Sequence, residues 1–324
     1  MLLGAHRRNR SREALIFVGK KGRLGMNKYM KSKVKLQILK LFNWIPDKQM
    51  ICLQYHMKTG RKLNLKNPVR YTEKLQWYKL YYRDPKMAQC ADKYEVRKYV
   101  ESKGLGQILN TCYGVYDSEE DINFDALPDS FVIKSTNGAS GIGIEICKDK
   151  SELDIPRLKR ELHKWMKPQK NGGGREWLYY QYKPKLIVEQ YLAPGKDEDS
   201  LVDYKFFCFN GEPYCLYIMN ERFSEDGVRQ NILDLDFQIM PYMREKIQPI
   251  RTEMKKPENF ELMIEMAKTL SADFPYVRVD FYDIDGKIYF GELTFFPESG
   301  YYDFEPDEFD FILGEKFVID VDRR

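Results

Sequence analysis

A lysine at the end of a short apolar run, followed at once by a loop of small residues, is equipped to hold phosphate. The chain carries this arrangement at Phe131-Val-Ile-Lys-Ser-Thr-Asn-Gly-Ala-Ser-Gly-Ile-Gly143. With no bulky side chains in the way, backbone N–H groups of Ser135 to Gly143 can cradle phosphate oxygens, and Lys134 adds a point charge. The loop returns into another apolar run, Ile142 to Cys147, and not into a helix, which argues against the Walker and dinucleotide-binding fingerprints. The same residues would also make a glycine-rich hairpin with no chemistry. A second set lies on two runs joined at Asp285-Gly286: Arg278-Val-Asp280 before the turn and Gly291-Glu-Leu-Thr294 after it. Asp280 and Glu292 share parity within their strands, Arg278 and Thr294 join them, and the four are expected on one face of a hairpin. Two carboxylates and a guanidinium would be costly to bury without a counter-ion. With phosphates nearby, such carboxylates suit Mg²⁺, which keeps its water and takes few protein ligands. As hairpin-face groups they are expected to contribute little to packing. The alternative, an exposed hairpin with ordinary surface charges, fits poorly with the interleaved Val277, Val279, Phe281, Phe290 and Leu293. A third piece, Leu186 to Leu192, is an apolar run interrupted by Glu189 and ending before Pro194-Gly195. It is either an adenine-binding hinge whose backbone reads the ring edge or simply a strand.

Positioning these residues requires strands, and the turn chemistry supplies them. Asn210-Gly211 joins Tyr204 to Phe209 with Tyr214 to Met219, and Asp285-Gly286 joins Phe281 to Ile284 with Ile288 to Leu293; both dipeptides supply the positive φ of a tight hairpin. Between them, Pro257 to Ala272 has helical periodicity through Phe260, Met263, Ile264, Ala267 and Leu270. Upstream, Thr72 is the expected N-cap of a helix carrying Leu75, Trp77, Tyr78 and Tyr81, and Asp92 of a helix over Lys93 to Ser102 that Gly104 ends. Tyr29 to Trp44 is amphipathic and stops at Pro46. The fold class is therefore α+β with antiparallel sheets, preceded by a mainly helical N-terminal region. The expected divisions are a basic arm over 1–27, a helical region over 28–90, a first subdomain with the glycine loop over 91–192, and a second with the carboxylates over 193–324.

The chain has 324 residues and a net charge of +4, too mild to suggest nucleic acid. Its basic excess sits at the start, where Arg7, Arg8, Arg10, Arg12, Lys20, Lys21 and Arg23 are among the cations that meet only Glu13 and Asp47 before residue 50. That segment is either a solvated face or an attachment to an anionic membrane surface. No apolar run reaches the roughly 18–20 residues of a membrane span. The six cysteines form no CxxC pair, and the histidines at 6, 56 and 163 are isolated, which leaves no zinc site and suggests a reducing, cytoplasmic setting.

Taken in order, a phosphate lysine with a glycine flap, a hinge strand, then R-x-D and E-x-T on the last hairpin resemble the ATP-grasp superfamily. Thr72-Glu-Lys-Leu-Gln-Trp-Tyr-Lys-Leu80, Asp92-Lys-Tyr-Glu-Val-Arg97, Phe131 to Gly143, Asp203-Tyr-Lys-Phe-Phe-Cys-Phe-Asn-Gly211 and Arg278-Val-Asp with Gly291-Glu-Leu-Thr-Phe295 are together similar to the TupA-like ATP-grasp family. The resemblance covers roughly residues 45 to 315. It implies ATP and Mg²⁺ as cofactors, with Lys93 and Lys134 on the phosphates and Ser135, Thr136, Asn137, Gly138, Ala139, Ser140 and Gly141 in the flap. It further implies Glu189, Gln190, Tyr191 and Leu192 as the adenine hinge, Asp203 as the ribose-side acid and Lys205 near the phosphates. Asp280 and Glu292 match the metal ligands, with Thr294 where many ligases have asparagine, and Arg278 matches the arginine that stabilises the transferring phosphoryl group. The implied activity is ADP-forming carboxylate–amine ligation through an acyl-phosphate. The family setting suggests an acidic sugar or glycan carboxylate and an amino-acid amine, in surface-polysaccharide synthesis at the inner face of the cytoplasmic membrane. A sugar kinase, a glycosyltransferase and a non-catalytic binding module are the competing expectations.

Overall fold

The structure is a computed structural model, and it describes residues 44–138, 143–167, 173–196, 200–220, 228–245 and 247–322. The basic arm, nearly all of the Tyr29 to Trp44 segment, and Ala139, Ser140 and Gly141 of the glycine loop lie outside the described residues.

Four helices come first: α1 (Asp47–Thr59), α2 (Tyr71–Tyr81), α3 (Pro85–Ala91) and α4 (Glu95–Ser102). Thr72 is not the cap of α2. The helix starts one residue before it, and Glu73 accepts from the N–H groups of Val69 (3.0 Å) and Arg70 (3.2 Å). The Thr72 amide and hydroxyl are instead taken by Asp310, at 2.9 and 2.8 Å, a partner far along the chain. Asp92 does serve the next helix, accepting from the amides of Tyr94 (2.9 Å) and Glu95 (3.0 Å), although α4 begins two residues later than expected. Lys93, just before the helix, bonds its amide to the Thr136 carbonyl.

The first sheet contains β1 (Cys112–Tyr116), β2 (Phe131–Ser135), β3 (Ile144–Cys147) and β4 (Leu186–Gln190), in the order β1-β4-β2-β3 and antiparallel throughout. Helix α5 (Ile155–Trp165) places Leu158 and Leu162 in a small core with Phe131, Ile133 and Val188. The second sheet contains β5 (Asp203–Phe209), β6 (Glu212–Asn220) and β7 (Arg229–Leu233). After the short β8 (Met243–Arg244) and α6 (Phe260–Ser271), it is completed by β9 (Tyr276–Ile284) and β10 (Lys287–Thr294), in the order β10-β9-β5-β6-β7. Strand β11 (Phe304–Glu305) pairs with β8, and α7 (Glu308–Lys316) lies against α2.

Helix α6 buries Phe260, Met263, Ala267 and Leu270 against one face of β5, β6 and β9, while the other face carries Asp203, Lys205 and Asp280 at one end and packs Phe207, Phe209 and Tyr276 against Tyr71 of α2 at the other. Both expected hairpin turns form, with Asn210 and Gly211 at φ 51° and 83° and Asp285 and Gly286 at 49° and 81°. The β9–β10 ladder then slips. Phe290 faces Phe281, but Glu292 faces Asp280, so one extra residue, Gly291, is bulged out of β10. A Cβ at Gly291 would lie 2.9 Å from the Asp280 carbonyl oxygen, a distance that only glycine avoids. Among the described residues no helix is long and apolar enough to cross a membrane.

Candidate active site

The polar face of the second sheet gathers one charge set. Alternation along β5 puts Asp203 and Lys205 on the same side; Lys205 pairs in register with Asp280, and Asp280 with Glu292. Equal parity alone would not have brought Asp280 and Glu292 together, because pairing outward from the Asp285-Gly286 turn sets Asp280 against Gly291. The bulge supplies the missing step. Arg278 reaches along its strand, with Nε and Nη2 each 2.7 Å from the Asp280 carboxylate. Nη2 also donates to Glu292 Oε1 (3.0 Å) and Thr294 Oγ1 (3.0 Å), so one guanidinium spans both carboxylates and the hydroxyl. Lys205 Nζ donates to the other side of the set, to Asp203 (3.2 Å) and Asp280 (2.5 Å). Asp203 and Asp280 are each 1% exposed, which makes Arg278 and Lys205 their counter-ions. Burial works against the Arg278 charge, but Asp280 outweighs it and raises the guanidinium pKa well above its ordinary value.

The first sheet gathers a second set. Lys134 on β2 donates to Glu189 on β4 at 2.7 Å, and Arg97 from α4 approaches the same carboxylate at 3.5 Å. Of the loop residues, Thr136 is a joint: its amide and hydroxyl bond Lys185, at 2.9 and 3.2 Å, and its carbonyl accepts from the Lys93 amide. Ser135 bonds Asn137 at 3.0 Å, Asn137 reaches the Tyr179 carbonyl at 3.3 Å, and the Lys93 ammonium donates to the Gly138 carbonyl. At the hinge the Gln190 amide is spent on Thr111 and its carbonyl accepts from Asn110, while Tyr191 and Leu192 follow the end of the strand.

Lys93 lies between the two sets. Burial pushes its ammonium down, while Glu292 from the second sheet and Glu189 from the first pull it up. Glu292 shows the same proximity from the other side. Burial raises its carboxyl, but Arg278, Lys205 and Lys93, with the Thr294 hydroxyl, outweigh that and hold it at about 2. Its side chain is nevertheless 48% exposed, so it stands at the open edge of a charged cleft. No group of three or more His, Cys, Asp and Glu placed to hold a metal ion by themselves gathers among the described residues. Two carboxylates and a hydroxyl on one face do fit a hard cation that draws its other ligands from water and phosphate. A cavity of about 660 Å³ beside α5, edged by Glu119, Lys159 and His163, contains none of these residues, and the charge geometry marks the site instead.

Several participants carried no sequence signal. Arg97 stands in the Asp92 to Arg97 stretch, but its approach to Glu189 spans 92 residues of sequence and nothing local announces it. Arg278 Nη1 donates to the Tyr217 hydroxyl (3.3 Å), which bonds the Tyr302 hydroxyl (2.8 Å). These tyrosines come from β6 and from the segment before β11, and nothing local in either stretch announces the pair.

The family model described as TupA-like ATPgrasp matches residues 73–318. No curated protein matches the chain. Among solved structures, a D-alanine–D-alanine ligase from Bacillus anthracis is 19% identical at a TM-score of 0.39, covering 63% of this chain and 56% of its own. The Helicobacter pylori D-alanine–D-alanine ligase is 15% identical at a TM-score of 0.41, with 76% and 68% covered. D-alanyl-alanine synthetase A from Vibrio cholerae is 15% identical at 0.43, with 72% and 63% covered. The chain thus spans little more than half the length of the Bacillus anthracis ligase.

Proposed function

This chain belongs to the TupA-like ATP-grasp family, and on that premise we propose that it is an ADP-forming carboxylate–amine ligase. Its acid is a uronic-acid carboxylate of a surface glycan or glycan precursor, and its amine comes from an amino acid. The observation that carries this reading is the opposition of two charge sets, one per sheet, with Lys93 within electrostatic reach of both.

In this reading ATP lies between the sheets. Lys134, Lys93 and the loop from Ser135 hold its phosphates, and the adenine edge is read beyond Gln190, at Tyr191 and Leu192. Asp280, Glu292 and Thr294 hold magnesium, which supplies charge neutralisation to the phosphate oxygens when bound. Arg278 and Lys205, now satisfied by carboxylates, find equivalent anionic partners in phosphate oxygens. An oxygen of the substrate carboxylate forms a bond to the γ-phosphorus as the bond to ADP breaks. Arg278 stabilises the charge spread over the transferred group. The neutral amine then attacks the carbonyl carbon, inorganic phosphate leaves, and the amine proton passes to solvent. An α-amino group of pKa ~7.7–8.0 is mostly protonated near pH 7 but keeps a minor neutral fraction, so supplying the reactive form is a small penalty. The basic excess before residue 50 supports placing this reaction at the inner face of the cytoplasmic membrane.

The products test the proposal. ADP and free phosphate should appear together and depend on both an acid and an amine, and hydroxylamine should trap a hydroxamate when the amine is withheld. AMP as product, or a stable phosphorylated sugar, would overturn it.

A further inference from the structure

Beyond the carboxylates, β10 runs into a turn with an unusual backbone. Glu298, Ser299 and Gly300 have φ of 51°, 57° and 74°, three successive left-handed residues of which only the last is glycine. Such conformations persist where the surroundings over-determine them, and they cluster at ligand sites. Here α2 does the holding. Gln76 Nε2 donates to the Ser299 and Gly300 carbonyls (3.1 and 2.9 Å), and Lys79 Nζ donates to the Ser299 carbonyl (2.7 Å); both side chains are fully buried. With those carbonyls turned into the protein, the Glu298 carboxylate stays outside, 49% exposed, and pairs with Arg244 at 3.2 Å.

Arg244 is the second part of the arrangement. Its side chain is only 16% exposed, and its guanidinium lies 5.1 Å from the centre of the Tyr302 ring. The Tyr302 hydroxyl bonds Tyr217, and Tyr217 accepts from Arg278. Two guanidinium groups therefore flank one tyrosine pair, Arg278 at the reacting end and Arg244 set back from it.

We propose that Arg244 and the Glu298–Gly300 turn form a subsite for a non-reacting carboxylate of the amine substrate, and that Glu298 fills it until the substrate arrives. The inference rests on the ligase reading above and narrows its amine to one that carries its own carboxylate, an α-amino acid. A planar guanidinium fixed over an aromatic ring suits bidentate carboxylate recognition. Glu298 is a replaceable partner because it reaches Arg244 from an exposed, strained turn, whereas Asp280 holds Arg278 from inside the sheet. The set-back of Arg244 matches a molecule that offers its amine to the acyl carbon while its carboxylate points away. Arg244 is thus a specificity-determining residue that touches substrate but not the transferring group.

The test is binding to the whole protein with Mg²⁺ and a non-hydrolysable ATP analogue, using common α-amino acids and their α-amides as probes. At least one amino acid should bind while its amide does not. Arg244→Met should weaken that amino acid by about a hundredfold, the scale for truncating one partner of a desolvated charge pair. Glu298→Gln should tighten it about threefold by removing the competing carboxylate. Should Arg244→Met fail to fold, Glu298→Gln decides alone, and unchanged or weaker binding in that variant overturns the subsite. Amides binding as well as amino acids also overturns it and leaves the ligase reading intact, whereas no amino acid binding while the analogue binds overturns it and removes the amino-acid amine from the ligase reading as well. Failure of the analogue to bind removes the ligase reading itself.

Discussion

Asp280 is claimed from two sides, by Arg278 and by Lys205, at 1% exposure. The expectation that a hairpin-face carboxylate adds little to packing does not hold for it, because its removal would leave two buried cations facing only Asp203 and Glu292. Asp280→Ala is therefore expected to lower stability by about 3–5 kcal/mol, the usual effect of breaking a buried ion pair from one side. Asp280→Asn, which keeps the shape and one accepting oxygen but sets an N–H donor against the remaining cation, should be only slightly milder, and both should lack turnover. Urea unfolding beside an ATP-consumption assay separates the two effects, and equal stability of the Ala and native proteins would contradict the burial argument. Glu292 behaves differently because it is half exposed. Its carboxyl is lowered from 4.5 to about 2 in the folded protein. A depressed carboxyl stabilises fully above its unfolded pKa, and that contribution fades as pH falls from about 4.5 towards 2. Solvent screening keeps it modest. Glu292→Gln should show a flatter loss of stability than the native protein across that window, read by thermal unfolding at stepped pH.

At the scale of elements, α2 is the piece on which the Glu298–Gly300 turn depends, and α2 is itself anchored by α7. Asp310, 1% exposed, accepts from the Thr72 amide and hydroxyl and from Arg70 at 3.4 Å. Asp310→Ala should cost about 3 kcal/mol in urea unfolding, since it strips a buried, charge-assisted set of bonds. An unchanged midpoint would show that α2 is held by its apolar face alone. The same contact explains what the sequence could and could not disclose. Thr72 looks like a cap because threonine before an apolar run usually is one. Its hydroxyl serves Asp310 instead, and no local pattern carries that choice. The two hairpins were legible for the opposite reason: Asn-Gly and Asp-Gly specify their turns within a few residues, and with the turns come the strands bearing Lys205, Asp280 and Glu292. Lys134 could be read as a candidate from its own strand and loop. Its partner Glu189 was visible as an interruption, but the contacts of Arg97, Tyr217 and Tyr302 are made over long range and no local pattern announces them.

For the whole molecule, Lys93 is bonded to the loop of the first sheet through Thr136 and Gly138 and feels the Glu292 carboxylate of the second, and the proposed function places the nucleotide between the sheets. A nucleotide bound there ties the sheets together, so saturating ATP analogue and Mg²⁺ should raise the unfolding temperature. At about a hundredfold over Kd the added stability is roughly 2.7 kcal/mol. Lys93→Met should lose most of that increment while retaining its unliganded melting temperature or gaining slightly, because the ammonium it removes is disfavoured by burial. A full ligand-induced shift in Lys93→Met would mean that one sheet suffices for binding. Hydrogen exchange gives an independent view, with slower exchange expected at Ser135 to Gly138 on adding the analogue.

The bulge at Gly291 has a consequence for descent. Along β10 the choice between the sheet's charged side and its oily side is made by counting, and Gly291 is the odd number in the count. Were Gly291 drawn back into the ladder, with no residue lost, regular pairing would set Glu292 against Val279 and turn its carboxylate towards the buried side while every other residue of the motif stayed in place. A lineage could thus fall silent, or regain its chemistry, by exchanging that one glycine for a residue whose Cβ crowds the Asp280 carbonyl, or by the reverse change, with both carboxylates kept. Relatives compared by composition or motif spelling would look intact across such an event. The residue just before the second carboxylate is therefore as telling as the carboxylates themselves when members of this family are compared.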